Sequence, residues 1–432
     1  MPRWAYTLAL RLLLPFAMLW FLWRGWRNHA YHGRLREPLA LGAKPRADRP
    51  LWLHAASVGE AQALGGLLRA LTQLRAPPPL LLTVGTPTGL ARARELYADL
   101  PQLTLQLAPW DLPGMAARFL RVNRPRAAVF IETELWPNQI AACAAAGVPL
   151  ALVSARVSAR SLGRYQRFAQ GLMREAVRAF AVVGAQSEAD RERFIALGAA
   201  AARVHNSGNL KFDFRLPADI REHGGRLRDV WAAERPLWVA GSTHAVEEGI
   251  CIDAQRQLVA NARAQQRAVP LLLLAPRRPE RFAEVARWLT TQGLKFACIS
   301  EGEVALARQV DVLLLDAMGE LLGWYAAADA AFVGGSLVPV GGHNLLEPAA
   351  LGKPLLAGPH CFNSPDAARL LESAGALTRV ANADELARAV EVYLTDAVRA
   401  QRSGGNAVAV VAANRGAAER ALAMIAALPP AA

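Results

Sequence analysis

Residues 330–348 read Ala-Ala-Phe-Val-Gly-Gly-Ser-Leu-Val-Pro-Val-Gly-Gly-His-Asn-Leu-Leu-Glu-Pro. The short apolar run Ala330–Val333 predicts a buried strand and the pattern after Asn344 predicts a helix, so the glycines fall in a strand-to-helix turn. Strand, glycine turn and helix in that order are the repeating unit of a doubly wound parallel sheet. Such a turn lets backbone N–H groups close on a phosphate where the helix dipole favours an anion. Ser336, Gly341, Gly342 and Asn344 are therefore candidate contacts to a phosphate. Glu347, one turn into the helix, is placed to accept hydrogen bonds from a ribose diol. Glycine pairs also serve simply to let two elements pack closely, and taken alone the loop leaves both readings open.

The same unit recurs along the chain. Residues 51–54, 80–84, 127–131, 148–153 and 179–183 are short continuous apolar runs, and 237–240, 271–275, 312–315 and 355–357 repeat the pattern. Continuous rather than alternating apolar runs suit parallel strands covered on both faces. The charged stretch 216–235 interrupts this rhythm. The fold class is thus α/β, two Rossmann-like doubly wound domains facing a cleft, with ligands at the carboxyl ends of strands. The expected divisions are 1–43, an apolar and basic N-terminal segment; 44–215, the first domain; and 216–432, the second domain with the terminal helices.

A chain of 432 residues exceeds the size at which one core stops growing, consistent with two domains. With 53% apolar and 20% charged residues it is neither disordered nor fibrous. The net charge of +13 is carried almost wholly by arginine, since Lys44, Lys211, Lys295 and Lys353 are the only lysines. Arginine favours phosphates, so anionic lipid and phosphorylated substrates fit as partners. Nucleic acid does not: no zinc-ligand spacing, basic tail or aromatic-basic interleaving is present. Cys143, Cys251, Cys298 and Cys361 lie far apart without a CxxC pair, which suits reduced thiols. No metal site and no cofactor are expected.

Residues 12–23 form an uninterrupted apolar run, and reaching back to Trp4 gives nearly a membrane-spanning length broken by Arg11. Arg24, Arg27, Arg34 and Arg36 follow the run, whereas a signal peptide carries its charge in front. Positive charge marks the cytoplasmic side. The segment reads as an uncleaved anchor or an interfacial helix, with the bulk of the chain inside the cell.

Several clusters carry chemistry. Ser57-Val-Gly-Glu60 places a carboxylate at a helix start directly after a strand, where the dipole favours its ionised form and makes Glu60 a base at neutral pH; a first-turn acid that merely supports its helix looks the same. Glu132-Thr-Glu134-Leu-Trp136-Pro-Asn138 supplies two more acids, and a local cap explains one more easily than both. Arg156 and Arg277 follow strands as anion-binding or simply solvated arginines. Ser242 and Thr243 suit a phosphate or an ordinary capped turn. Lys211 either reaches a phosphate or pairs with Asp213. No P-loop pattern is present.

Four of these motifs, His54-Ala-Ala-Ser57-Val-Gly-Glu60, Glu132-Thr-Glu134-Leu-Trp-Pro-Asn138, Gly208-Asn-Leu-Lys211-Phe-Asp213 and Gly341-Gly-His-Asn344-Leu-Leu-Glu347-Pro-Ala, occur in the order found in the bacterial 3-deoxy-D-manno-octulosonic acid (Kdo) transferases of lipopolysaccharide biosynthesis, which the whole chain resembles. The resemblance implies an inverting glycosyltransferase of GT-B architecture, transferring Kdo from CMP-Kdo to the tetra-acylated lipid A precursor at the cytoplasmic face of the inner membrane, against whose lipids it would work. It implies Glu60 as general base, Glu132, Glu134 and Arg156 on the catalytic or acceptor side, and Ser242, Thr243, Arg277, Ser336, Gly341, Gly342, Asn344, Glu347 and Lys211 around the donor. Two positions depart from the family pattern: Val246 stands where a glycine precedes the paired acids Glu247 and Glu248, and Arg278 replaces a histidine. The competing readings are a GT-B transferase using a UDP-sugar, and a non-catalytic membrane-bound lipid adaptor.

Overall fold

The computed structural model describes residues 1–28, 31–42, 45–302, 304–307 and 309–431, so the division expected at 43/44 lies outside the described residues. The chain forms two units, Met1–Phe214 with Asn414–Ala432, and Arg215–Ala413.

In the first unit, strands β1 (Leu51–Ala55), β2 (Leu80–Val84), β3 (Leu103–Leu107), β4 (Ala127–Ile131), β5 (Leu150–Ala155), β6 (Val182–Ala185) and β7 (Val204–Asn206) form one parallel sheet in the order β3-β2-β1-β4-β5-β6-β7. The central strands β1, β2, β4 and β5 are buried throughout, which is why they read as unbroken apolar runs. Each fully buried leucine or valine there contributes about 1.5–3 kcal/mol. Capping marks the helix starts: Ser57 and Thr86 accept backbone N–H groups at the first turns after β1 and β2. After β1 the chain winds to one side of the sheet and from β4 onward to the other, so the switch point lies between these paired neighbours.

The second unit repeats the plan with β8 (Leu237–Thr243), β9 (Leu271–Pro276), β10 (Phe296–Cys298), β11 (Val312–Leu314), β12 (Ala330–Val333), β13 (Leu355–Ala357) and β14 (Leu377–Arg379), ordered β10-β11-β9-β8-β12-β13-β14 and parallel throughout. Its switch point lies between β8 and β12, which pair from Trp238 with Ala330 to Gly241 with Val333.

Four strands escape the sequence reading, β3, β7, β10 and β14, and they are the four sheet edges. An edge strand is covered less, so Leu-Thr-Leu-Gln-Leu and Val-His-Asn carry no continuous apolar run.

The end of the chain also departs from expectation. The helix Ala417–Ala426 belongs to the first unit rather than the second. Asp213 accepts hydrogen bonds from the backbone N–H groups of Gly416 (2.7 Å) and Ala418 (2.5 Å), and the Arg420 guanidinium donates to the Ser207 carbonyl. Asp213, a suggested partner of Lys211, is thereby occupied in holding this returning helix.

The N-terminal helix Arg3–Arg27 lies along the first unit. The Tyr6 hydroxyl donates to Asp111 Oδ2 at 2.9 Å, Thr7 Oγ1 donates to Asn138 Oδ1 at 2.9 Å, and near the far end Phe21 is buried against Tyr31 and Trp110. The opposite face exposes Leu8, Leu12, Phe16, Leu19, Trp23 and Trp26.

Candidate active site

Polar residues gather at the switch point of each sheet. In the first unit, the turn after β1 forms a capping box: Ser57 Oγ accepts the Glu60 N–H at 3.3 Å, and Glu60 Oε2 accepts the N–H groups of Ala56 (2.5 Å) and Ser57 (3.1 Å). One carboxylate oxygen is thus fixed, while no hydrogen bond engages Oε1 among the described residues. The expectation that the helix start keeps this acid ionised is reversed by its surroundings. Burial first, then the charges of Glu134 and Glu132, outweigh the two backbone bonds and push Glu60 up to about 7. A carboxylate poised there is matched to proton abstraction near neutrality.

Glu132 and Glu134 follow β4, the strand beside β1. Neither caps the next helix, Pro137–Ala145. Glu132 pairs with Lys211 Nζ at 2.7 Å, and Glu134 Oε2 accepts the Trp136 indole N–H at 2.5 Å and lies 3.6 Å from His54 Nε2. Thr83 Oγ1 accepts the Trp52 indole N–H at 2.8 Å and lies 2.9 Å from His54 Nδ1. The same hydroxyl lies 3.4 Å from the Leu53 carbonyl, so the His54 ring is held between Thr83 on one side and the Glu134 carboxylate on the other. Lys211 therefore stands among the acids of the first unit. Its loop is fastened there by Asn209, whose Oδ1 accepts the Lys211 N–H and whose amide donates to Gln186. Glu132 has φ of +53° and Ser154, in β5, +51°, left-handed conformations that cost on the order of 1–3 kcal/mol and gather at functional sites. Arg156 follows β5 with its N–H on the Glu132 carbonyl and its side chain partly exposed.

In the second unit the glycine loop after β12 differs from its expected use. The N–H groups of Gly341 and Gly342 both donate to the Gly335 carbonyl, and that of His343 donates to the Gly334 carbonyl. The Gly335, Ser336 and Leu337 N–H groups point at an anion already in the protein, the buried carboxylate of Glu247, at 2.7, 3.0 and 2.9 Å. These six amides are spent internally. The glycines serve close packing instead: at Gly341, where φ is +109°, a Cβ would sit 2.5 Å from the Phe362 ring. Ser336 leaves the donor set as well, being fully buried with its hydroxyl donating to the Val333 carbonyl and accepting the Gly358 N–H. Thr243 is buried between Glu248 and the Ala275 carbonyl. Among the proposed donor residues, Ser242, Arg277, Asn344 and Glu347 keep partly or fully exposed side chains, with Glu347 half-buried on the first turn of the helix Leu346–Ala350.

Sequence reasoning gave no role to Glu247, whose signal was its place at the start of a helix after β8, or to His343, which meets His244 with 2.9 Å between their Nε2 atoms. It did single out the residue before Glu247. Val246 has φ of +77° and ψ of −47°, a conformation a β-branched residue adopts only under strain, and this is the position where the family pattern carries glycine. Its side chain is 70% exposed, so little packing is lost on removing it. Val246→Gly is expected to stabilise the second unit by about 1–2 kcal/mol, read as a higher denaturation midpoint; an unchanged or lower midpoint counts against strain there.

Two parallel α/β sheets, each with its polar cluster at the switch point, define the chain as a GT-B-type α/β protein. A solved UDP-GlcNAc 2-epimerase from Neisseria meningitidis shares this fold, with a TM-score of 0.56 and 11% identity over 87% of this chain and 99% of that one. Residues 33–214 match the family model for 3-deoxy-D-manno-octulosonic-acid transferase. The chain is 42% identical to the 3-deoxy-D-manno-octulosonic acid transferase of Bordetella pertussis, covering 98% of both, and 35% identical to that of Haemophilus influenzae, covering 98% and 97%. The chain belongs to the Kdo transferase family and is a glycosyltransferase.

Proposed function

We propose that the protein transfers Kdo from CMP-Kdo to the tetra-acylated lipid A precursor with inversion, and that Glu60 is its base. The observation that carries this is Glu60 itself, held through one oxygen by two backbone bonds, its other oxygen unbonded, and its proton affinity raised to about 7. Glu60 Oε1 takes the proton of the acceptor hydroxyl as that oxygen attacks the anomeric carbon of Kdo. The electron pair of the breaking bond leaves with CMP. Ser242, Arg277, Asn344 and Glu347 would hold the donor. Arg156 lies within an acid-free stretch, 135–174, whose arginines Arg160, Arg164 and Arg167 follow one another on the helix Ala159–Phe168, which buries none of its residues. Such a row suits a phosphorylated acceptor. Incubation with CMP-Kdo and the tetra-acylated precursor tests this, with products read by mass spectrometry. A product heavier by Kdo units is expected. No product alongside retained CMP binding would remove this acceptor, and failure of CMP to bind would remove the donor.

The membrane contact we propose is interfacial. A helix hydrogen-bonded to its unit at Tyr6 and Thr7 and packed into it at Phe21 presents its outer face sideways to a bilayer, in the manner of a monotopic segment. Removing residues 1–26 would uncover Trp110, so substitutions on the outer face are the cleaner probe. Leu12→Glu with Phe16→Glu is expected to release most of the protein from membranes while leaving its melting temperature within a few degrees. Undiminished membrane association would locate the contact elsewhere.

A further inference from the structure

His244 and His343 are brought together from loops 99 residues apart, after β8 and β12, at the switch point of the second sheet. Their Nε2 atoms lie 2.9 Å apart and their ring planes differ by 2°. Two Nε2 atoms at that distance share one proton: one ring donates and the other offers its lone pair. The arrangement is built rather than incidental. A single oxygen, Glu247 Oε2, accepts the backbone N–H of both His244 (3.0 Å) and Gly335 (2.7 Å), fixing the two loops to each other. The His343 ring lies directly over Gly335, where a Cβ would come within 2.9 Å of it, so the glycine makes room for the imidazole.

The charged groups acting on the pair are Arg277 and Arg278 beyond β9, and Glu247 and Glu248 on the helix Glu247–Ala264. Both acids are engaged, Glu247 by four backbone N–H groups and Glu248 by the Arg281 guanidinium. In the free protein the pair is therefore neutral near pH 7. Burial, then Arg277 and His244, hold His343 down to about 4, and burial heads the causes that lower His244.

We propose that the His244–His343 pair is the group that accommodates the departing phosphate, taking up one proton as the phosphate acquires its second negative charge. The inference rests on the donor reading of this unit. In a sugar–nucleotide phosphodiester the phosphate carries one negative charge. When the anomeric C–O bond breaks, its electron pair stays on the phosphate oxygen, and the monoester product carries two. The acceptor's proton goes to Glu60, and the proton on the histidine pair comes from solvent. A neutral imidazole pair suits the first state, and an imidazole–imidazolium pair, its shared hydrogen bond strengthened by the charge, suits the second. Interaction that is stronger after bond breaking than before it favours the transition state over the bound donor.

The test is calorimetric titration of CMP into the full-length protein at pH 7, repeated in buffers of different ionisation heat. We expect net uptake of roughly half a proton or more per CMP bound. His343→Gln and His244→Gln should each abolish that uptake while weakening CMP binding by no more than about tenfold, near the size of one lost hydrogen bond. Melting temperatures close to wild type would show that both variants fold. Absence of uptake in the wild type, or uptake that persists in both variants, would overturn the pair's role and leave the donor site standing. Absence of CMP binding in the wild type would instead remove the donor reading, and this inference with it.

Discussion

Glu60→Gln is expected to lower transfer by about a thousandfold and, at pH 8, to make the protein more stable. The first effect follows from losing the only unbonded carboxylate oxygen of the capping box as a proton acceptor. The second follows from burial. Glu60 is only 9% exposed and stands beside Glu132 and Glu134, so its charged form is disfavoured and its carboxyl is raised from 4.5 to about 7. The folded protein therefore holds this proton more tightly than the unfolded chain. Stability is unaffected below pH 4.5, declines as pH rises from 4.5 through 7, and stays lower above that. A shift of this size corresponds to roughly 3 kcal/mol, which the neutral glutamine does not incur. Thermal melts at pH 5 and pH 8 should show a gain for the variant only at the higher pH, with CMP affinity unchanged. Wild-type transfer should rise with pH to half its plateau near 7. Wild-type turnover in the variant would remove Glu60 as base, and equal melting temperatures at pH 8 would contradict the raised proton affinity.

Glu247→Ala is the variant expected to damage the protein most. The carboxylate is fully buried and accepts four backbone N–H groups, from His244, Gly335, Ser336 and Leu337. Leaving one such donor unpaired costs about 1–3 kcal/mol, and these four tie the loop after β8 to the loop after β12. Even with partial access of water to the vacated space, the loss should reach about 4–6 kcal/mol, a large share of the stability of a unit this size. Chemical denaturation should show the second unit unfolding early while the first keeps its transition, and CMP binding should be lost. A variant that melts normally and binds CMP would show that the loops hold their positions without the carboxylate.

The alternation of strands and helices was legible because central strands are covered on both faces and must be apolar throughout. The same physics hid β3, β7, β10 and β14, whose outer sides lie at sheet edges. Glu60 was legible as a candidate because it stands at a helix start directly after a strand, a local pattern. Its proton affinity was not, since that depends on Glu132 and Glu134, which follow a strand more than seventy residues later. The glycine loop misled in an instructive way. Strand, glycine turn and helix do make an anion-binding loop in general, and this one does bind a carboxylate, but the carboxylate is the protein's own Glu247.

The sequence by itself determined the two parallel sheets, because they rest on periodicity and turn chemistry acting over a few residues at a time, and the order of four short motifs carried the resemblance to the family. Only the tertiary structure decided which of the motif residues remain free to meet a ligand. The loop after β7, fastened to Gln186 and Ser154, brings Lys211 to Glu132, and the pairing of β8 with β12 brings Glu247 to the glycine loop and His244 to His343. Each of those pairings joins residues roughly eighty to a hundred apart, and burial and the field of a distant neighbour, not local spacing, set what each side chain can do.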